Sequence, residues 1–178
     1  MAFEIKLVNK ELAKRANMFP KAGAAALNRS QQTFRVLVVG EVIQRFNIRK
    51  SDVNGKIYTT RATPERLVVK MNTSSRRMTV LRFDAKETAM GGGVTVAIVR
   101  GNTKVIRGGF INKTKSGQKL VMKRQGKGRY PVDVIRTISI TEMMASVHAT
   151  KDMHNVFLHI LAPELERTIT VFRELGRE

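Results

Sequence analysis

The chain has 178 residues, of which 42% are hydrophobic, enough for one domain with a real core and too many for disorder throughout. A formal net charge of +19 favours a negatively charged partner, such as nucleic acid or an acidic protein surface. The absence of Cys excludes disulfides, thiolate metal sites and cysteine nucleophiles.

The composition also bears on membranes and on stacking. No apolar run approaches the ~20 residues that a spanning helix needs, and the first residues lack the apolar block of a signal peptide. We therefore expect a soluble protein, made in the cytoplasm, with no membrane partner. Trp is absent and there are only 8 Phe and 2 Tyr, so contact with phosphate charges is favoured over stacking on single-stranded bases.

The N-terminal region, residues 1–50, is predicted to be helical after a short strand at 3–8. Helical spacing of Leu12, Ala16 and Phe19 continues up to Pro20. An Ala-rich run then leads into a second helix, and the β-branched cluster at 36–39 leaves its continuity open. The apolar residues expected on one side of this helix are Phe34, Leu37, Val38, Val42, Ile43 and Phe46.

The centre, residues 64–139, is predicted to consist of short strands after a turn at Asn54-Gly55. Gly101-Asn102 and the segment 115–117 are hairpin signals, because Gly and Asn tolerate the positive φ of tight turns. No βαβ alternation is visible, which favours an antiparallel meander. The predicted strands are Leu67–Met71, Met78–Phe83, Val94–Arg100, Lys104–Ile111 and Lys119–Lys123.

The C-terminal region, residues 140–178, is predicted to be helical. A short helix is expected after Ser139, and Asp152 is placed to cap a longer one that Pro163 would kink or divide. The expected apolar stripe of the longer helix is Met153, Phe157, Ile160, Leu161, Leu165, Ile169, Phe172 and Leu175. The whole chain, 1–178, is thus predicted as a single α+β domain: an antiparallel sheet or meander with an N-terminal and a C-terminal helix.

No motif indicates catalysis, a cofactor or a metal. The triplet Gly91–Gly93 lacks the ending of a phosphate-binding loop, so a strand connection is favoured. His148, His154 and His159 do not have the spacing of a helical zinc pair. No nucleophile elbow is present, and the few carboxylates are explained by a solvated surface. We predict a protein that is not an enzyme and has no catalytic, cofactor-binding or metal-binding residues.

Positive charge is concentrated between Thr88 and Val132, where 45 residues contain 10 Lys or Arg and no acid. Within it, the loop 123–129 has glycines that allow close backbone approach, and no acid is expected nearby to neutralise it. The loop contacts either phosphates or an acidic subunit, or it is a solvated hairpin tip. The candidate contact residues are Lys123, Arg124, Lys127, Arg129, Lys113 and Lys115.

Three segments in order, GGGVTV at 91–96, IRGGFI at 106–111 and MKRQGKGRYPVDV at 122–134, resemble the minor tail protein Z family of tailed bacteriophages and prophages. The resemblance is clearest from Gly91 to about Met144. The Ala-rich helix within 20–50 is similar to the opening helix of the family. Phe110, Tyr130 and Pro131, which lie in these motifs, are candidates for interface or fold contacts.

The resemblance implies a virion structural protein of the phage tail or neck, made in the host cytoplasm. It implies a tail completion role at the head-proximal end of the tail and no catalytic residues. The expected partners are a tail terminator, the tail tube, the head-tail connector and genomic DNA in the channel, with copies of the chain in a ring. Tails in general lead us to expect a hexameric ring. The alternative is a basic nucleic-acid-binding module without enzymatic activity, favoured by the charge alone.

Overall fold

The structure is a computed structural model that describes residues 2–5, 10–89, 91–114, 116–148 and 152–176. The chain forms two compact units. The first comprises Met1–Val39, Ile57–Thr73 and Ala145–Glu178, and the second comprises Gly40–Lys56 and Ser74–Met144. Helices in both terminal regions and antiparallel sheets confirm the predicted α+β class.

The described residues form helices and strands with the following bounds. The helices are α1 (Lys10–Met18), α2 (Pro20–Arg45), α3 (Lys50–Asn54), α4 (Ile140–His148) and α5 (Met153–Glu174). The strands are β1 (Ala2–Ile5), β2 (Ile57–Thr60), β3 (Val69–Thr73), β4 (Lys86–Glu87), β5 (Gly93–Val99), β6 (Asn102–Arg107), β7 (Gly109–Lys113), β8 (Lys119–Arg124) and β9 (Val132–Val134). They form three antiparallel sheets, in the orders β1-β3-β2, β4-β5-β6 and β7-β8-β9, instead of one meander.

In the first unit, polar side chains of α2 attach this helix to the β1-β3-β2 sheet. The Gln31 side-chain amide donates to the carbonyls of Thr60 on β2 (3.3 Å) and Lys70 on β3 (3.0 Å). The Asn28 side chain donates to the Ala62 carbonyl and accepts from the Ala62 N–H. Because Gln31 is buried, these bonds satisfy polar groups that would otherwise destabilise the core.

Aromatic and aliphatic side chains connect α2 to α5 within the same unit. Phe34 meets Phe157 edge to face, with ring centroids 5.4 Å apart. Leu27, Leu161 and Leu165 are almost fully buried. The helical stripe of α5 therefore forms part of the core, as its spacing predicted.

In the second unit, the two remaining sheets are built from hairpins. Gly101 (φ 77°) turns β5 into β6, and Gly117 (φ 78°) lies in the turn between β7 and β8, so both predicted hairpins are confirmed. Strand β7 packs beside β5, and its Ile111 N–H donates to the Glu87 carboxylate at 2.7 Å. This carboxylate satisfies a backbone donor on the exposed edge of β7.

Two predicted strands are wrong. Met78–Phe83 does not form a strand: Thr79 makes an isolated bridge opposite Arg136, flanked by backbone hydrogen bonds of Met78 and Val80 to residues 135–138. Val80–Phe83 then forms a 3-10 turn ending at Asp84, whose φ is 51°. The predicted strand Lys104–Ile111 is divided at Gly108 (φ 69°) into β6 and β7, which belong to different sheets. In both places a residue with left-handed backbone redirects the chain, and alternation alone does not reveal it.

The helices also correct several predicted positions. Helix α2 is continuous through 36–39. The predicted apolar face is largely confirmed, because Phe34, Val38, Val42 and Phe46 are buried and Ile43 is half-buried. Leu37 is the exception at 47% exposed, and Val39 is buried although it was not predicted. Pro163 is exposed inside α5 and does not divide it. Ile160 and Phe172 are half-buried and Leu175 is exposed, because the stripe of α5 that packs into the core is narrower than the apolar stripe in its sequence.

Two helix starts follow from capping. The predicted cap at Asp152 is confirmed, since its carboxylate accepts from the N–H groups of His154 and Asn155 at 3.2 Å each. Helix α4 begins with a capping box that was not predicted: the Glu142 N–H donates to the Ser139 hydroxyl oxygen, and the Ser139 N–H donates to the Glu142 carboxylate at 2.6 Å. Among the described residues, no helix combines the length and apolar character needed to cross a membrane.

Candidate functional site: a basic hairpin tip

The basic tip, which we define as Lys123, Arg124, Lys127 and Arg129, lies where β8 passes into β9. Strand β8 ends at Arg124, opposite Val132, and the Gln125 N–H donates to the Pro131 carbonyl at 3.2 Å across the loop. All four basic residues are exposed. The loop 125–131 therefore presents positive charge at the end of a hairpin, which is the local geometry that the sequence predicted.

An acidic residue lies beside the tip, contrary to the sequence-based expectation. Asp133 is the cross-strand neighbour of Lys123 in the β8-β9 pair, so the two side chains leave the same face of the sheet. The Gln125 amide donates to both oxygens of the Asp133 carboxylate, at 2.9 and 2.8 Å. With one carboxylate beside four cations, the tip keeps a net positive charge. The hydrogen bonds from Gln125 to Asp133 stabilise the base of the loop.

Aromatic rings orient two of the arginines. The Arg124 guanidinium lies 5.4 Å from the centre of the Phe110 ring on β7, and that of Arg129 lies 5.8 Å from the Tyr130 ring. Phe110 is half-buried beneath Arg124, whereas Tyr130 is 74% exposed and Pro131 is exposed beside it. Of the three interface candidates, Phe110 supports the tip from below, and Tyr130 and Pro131 form part of its surface.

The other two candidate contact residues are not part of this cluster. Lys113 pairs with Lys119 at the far end of the β7-β8 hairpin, while Gly109 at the near end pairs with Lys123. Four residues of strand separate the two ends, about 13 Å. Lys115 lies outside the described residues. The structure thus divides the predicted basic set between two ends of one hairpin.

Gly91 and Gly92 lie in the connection between β4 and β5, which is the strand connection that the sequence favoured, and Gly93 is the first residue of β5. The Thr88 hydroxyl donates to the Gly93 carbonyl at 3.0 Å, and a Cβ on Gly93 would lie 2.4 Å from the Ile106 carbonyl oxygen. Gly93 is therefore required for close approach of β5 to β6. Within the part of the chain that the structure describes, no three His, Asp or Glu residues are grouped closely enough to hold a metal ion.

A second concentration of positive charge was not predicted. We name as the basic groove the concave surface lined by Lys56, Arg76, Arg77, Arg82 and Arg136, with a cavity of about 330 Å³. These residues come from three separated segments of the second unit. No local charge run indicated them. The pairing of Thr79 with Arg136 and the backbone hydrogen bonds of Met78 and Val80 to residues 135–138 join two of the segments, and a sequence pattern does not show these contacts.

Comparison with known proteins gives the family. The family model described as prophage minor tail protein Z (GPZ) matches residues 8–173 of the 178. The chain belongs to this family. The match confirms the resemblance read from the three motifs and extends it over nearly the whole chain.

Membership in the minor tail protein Z family makes the chain a phage tail structural protein and implies that it is located in the virion among other tail components. Neither the curated proteins nor the solved structures contain a match to it. The basic tip lies within the matched residues.

Proposed function

We propose that copies of this chain form a ring at the head-proximal end of the phage tail, where it completes the tail and surrounds the DNA path. Family membership supports a place in the tail, and head-to-tail contacts between identical subunits close into rings when the rotation permits. The neighbouring rings in this proposal are the tail terminator, the tail tube and the head-tail connector. Ring order six remains an expectation from tails generally.

The observation that carries the proposal is the exposed basic tip. Its four cations face one carboxylate, and Phe110 and Gln125 hold its base, so the charge is presented from a braced hairpin end. Such an element suits contact with phosphates of DNA in the channel or with an acidic neighbouring subunit. In either case the tip acts by charge and geometry, without chemistry of its own.

The alternative of a free, non-enzymatic nucleic-acid-binding module, which the net charge of +19 favours, does not agree with membership in a phage tail family. Tail tube and terminator genes beside this one are expected from the proposed place in the tail. Imaging of purified particles then locates the chain and counts its copies.

The role of the tip is tested by converting Lys123, Arg124, Lys127 and Arg129 together to Glu. Because exposed charges contribute little to folding, the variant is expected to melt close to the wild-type temperature. Complementation of particles that lack the protein is expected to give a strongly reduced infectious titre. If duplex DNA is the partner, loss of four phosphate contacts flattens the slope of log affinity against log salt by about 3.6.

A matched control keeps the same change in charge. Lys10, Lys14, Lys104 and Arg107 are exposed on α1 and β6, outside the tip and the basic groove, and their conversion to Glu is expected to reduce the titre much less. A tip variant that folds and restores full infectivity shows that the tip is a solvated turn and removes the basis of this assignment.

A further inference from the structure

The basic groove collects more positive charge than the surrounding chain neutralises. Arg82 forms an ion pair with Asp52, and Arg77 interacts electrostatically with Glu142. Among the described residues, Lys56, Arg76 and Arg136 have no carboxylate within ion-pair distance. These three cations are exposed and line one cavity. Backbone pairing sets Arg136 opposite Thr79, and the Ser74 N–H donates to the Lys56 carbonyl at 3.0 Å, so the three segments lie side by side. Clustered like charges repel each other, so the arrangement favours a bound anion.

The groove continues into a larger cavity of about 690 Å³, with which it shares Asp52, Thr79, Arg82 and Gln118. This second cavity adds the cations Arg49, Arg100 and Lys119 and the carboxylate of Asp84. The apolar part of the groove's own cavity is small: Met78 and Leu120 are buried there, and Val134 is half-buried. Because the two cavities share lining residues and both carry cations beside small apolar areas, together they suit a chain more than a single small ion.

Shape and composition select among polyanions. A DNA duplex is usually contacted by a protein element that enters its grooves, and a concave cleft of this size does not provide one. Single-stranded nucleic acid is held by stacking on aromatic rings, and no aromatic side chain is among the described residues that line either cavity. An extended acidic peptide carries carboxylates for the cations and alternating side chains for the apolar patches.

We propose that the basic groove binds an extended acidic segment of a different protein of the particle. A second copy of this chain does not supply such a segment, because its 14 Asp and Glu include no two adjacent acids. The closest two, Glu164 and Glu166, are in ion pairs with Arg29 and Arg15. The groove shares no residue with the basic tip, so this docking site goes beyond the function proposed for the tip.

The test measures binding of the full chain to a labelled peptide of alternating Glu and Leu by fluorescence anisotropy at physiological salt. The double variant Arg76→Ala/Arg136→Ala is expected to weaken binding about tenfold, from two exposed charge contacts. The variant Lys56→Ala leaves the Thr79–Arg136 pairing untouched and is expected to weaken peptide binding about threefold. Melting curves check that each variant folds.

The matched control is Lys104→Ala/Arg107→Ala, which removes the same charge from the edge strand β6. Its affinity for the peptide is expected to change by no more than about twofold. Equal weakening by groove and control variants shows only diffuse attraction and overturns the proposal. A wild-type chain that does not bind the peptide overturns it as well. If the groove variants instead weaken binding of a DNA duplex more than that of the peptide, the groove is a nucleic-acid site and the acidic-peptide assignment is wrong. Because the tip is intact in these variants, none of these results bears on the tip's own function.

Discussion

At the scale of single residues, close backbone approach decides which glycine of the triplet is replaceable. A Cβ on Gly93 would lie 2.4 Å from the Ile106 carbonyl oxygen, whereas Gly92 is exposed and a Cβ there would come no closer than 4.0 Å to Thr88. Gly93→Ala is therefore expected to destabilise the chain by about 1–3 kcal/mol, since β5 must move away from β6. Gly92→Ala is the control and is expected to stay near the wild-type stability. Denaturant unfolding measures both, and equal stability of the two variants contradicts the prediction.

The capping box of α4 makes stability depend on pH. The Ser139 N–H, and then its hydroxyl, hydrogen-bond to the Glu142 carboxylate and lower its pKa below the ordinary value, with Arg77 adding to the effect. Because the pKa is lower in the folded state, the ionised Glu142 carboxylate contributes fully to folding stability above the ordinary Glu pKa of about 4.3. This contribution is lost as pH falls through the pKa of the folded state.

We therefore expect Glu142→Gln to lower the melting temperature near neutral pH and to differ less from the wild type in acid. Glu174→Gln is the charge-matched control, because it removes a carboxylate from an exposed site at the end of α5. Thermal unfolding at neutral and strongly acidic pH measures the difference. If the difference in melting temperature between the wild type and Glu142→Gln is the same at both pH values, the carboxylate contributes nothing to stability through its charge.

At the scale of elements, burial along α5 distinguishes its two faces. Leu165 is 1% exposed, while Val171 on the same helix is 39% exposed. Leu165→Asp is expected to cost several kcal/mol, about 3–5, because it buries an unpaired charge, whereas Val171→Asp is expected to change stability little. Thermal melting compares the two. An unchanged melting temperature for Leu165→Asp shows that this face of α5 does not contribute to the core.

Local signals predicted some elements well and others poorly. The cap at Asp152 and the turns at Gly101 and Gly117 depend on a few adjacent residues, and all three are present. The segments around Thr79 and Gly108 alternate like strands, but a 3-10 turn and a left-handed glycine divert them. Alternation indicates that a segment suits a pleated surface; whether a partner strand lies beside it depends on residues far along the chain.

At the scale of the whole molecule, net charge governs association. With a formal charge of +19, copies of the chain repel one another at low salt, because the Debye length there exceeds about 10 Å and the repulsion is only weakly screened. The purified chain is expected to be largely monomeric there and to form a ring only on an acidic tail or neck partner. Native mass measurement with and without the partner tests this. A stable closed ring of the isolated chain at low salt contradicts partner-driven assembly.

The candidate site was predictable in part, for a reason visible in its residues. Lys123, Arg124, Lys127 and Arg129 are close in sequence, so a hairpin signal was sufficient to bring them together. Lys113 is also near in sequence, but strand register carries it to the opposite end of the hairpin. Asp133 escaped notice because its place opposite Lys123 follows from the β8-β9 pairing and not from their spacing.

The sequence by itself determined the excess of positive charge, the α+β class, the family and the exposed hairpin tip, because composition, periodicity and turn residues act over short distances along the chain. Only the tertiary structure decided which strands share a sheet, that Val39 of α2 is buried while Leu37 is exposed, and how Lys56, Arg76 and Arg136 form one groove. These outcomes depend on contacts between segments far apart in sequence, and such contacts are selected by the packing of the whole fold.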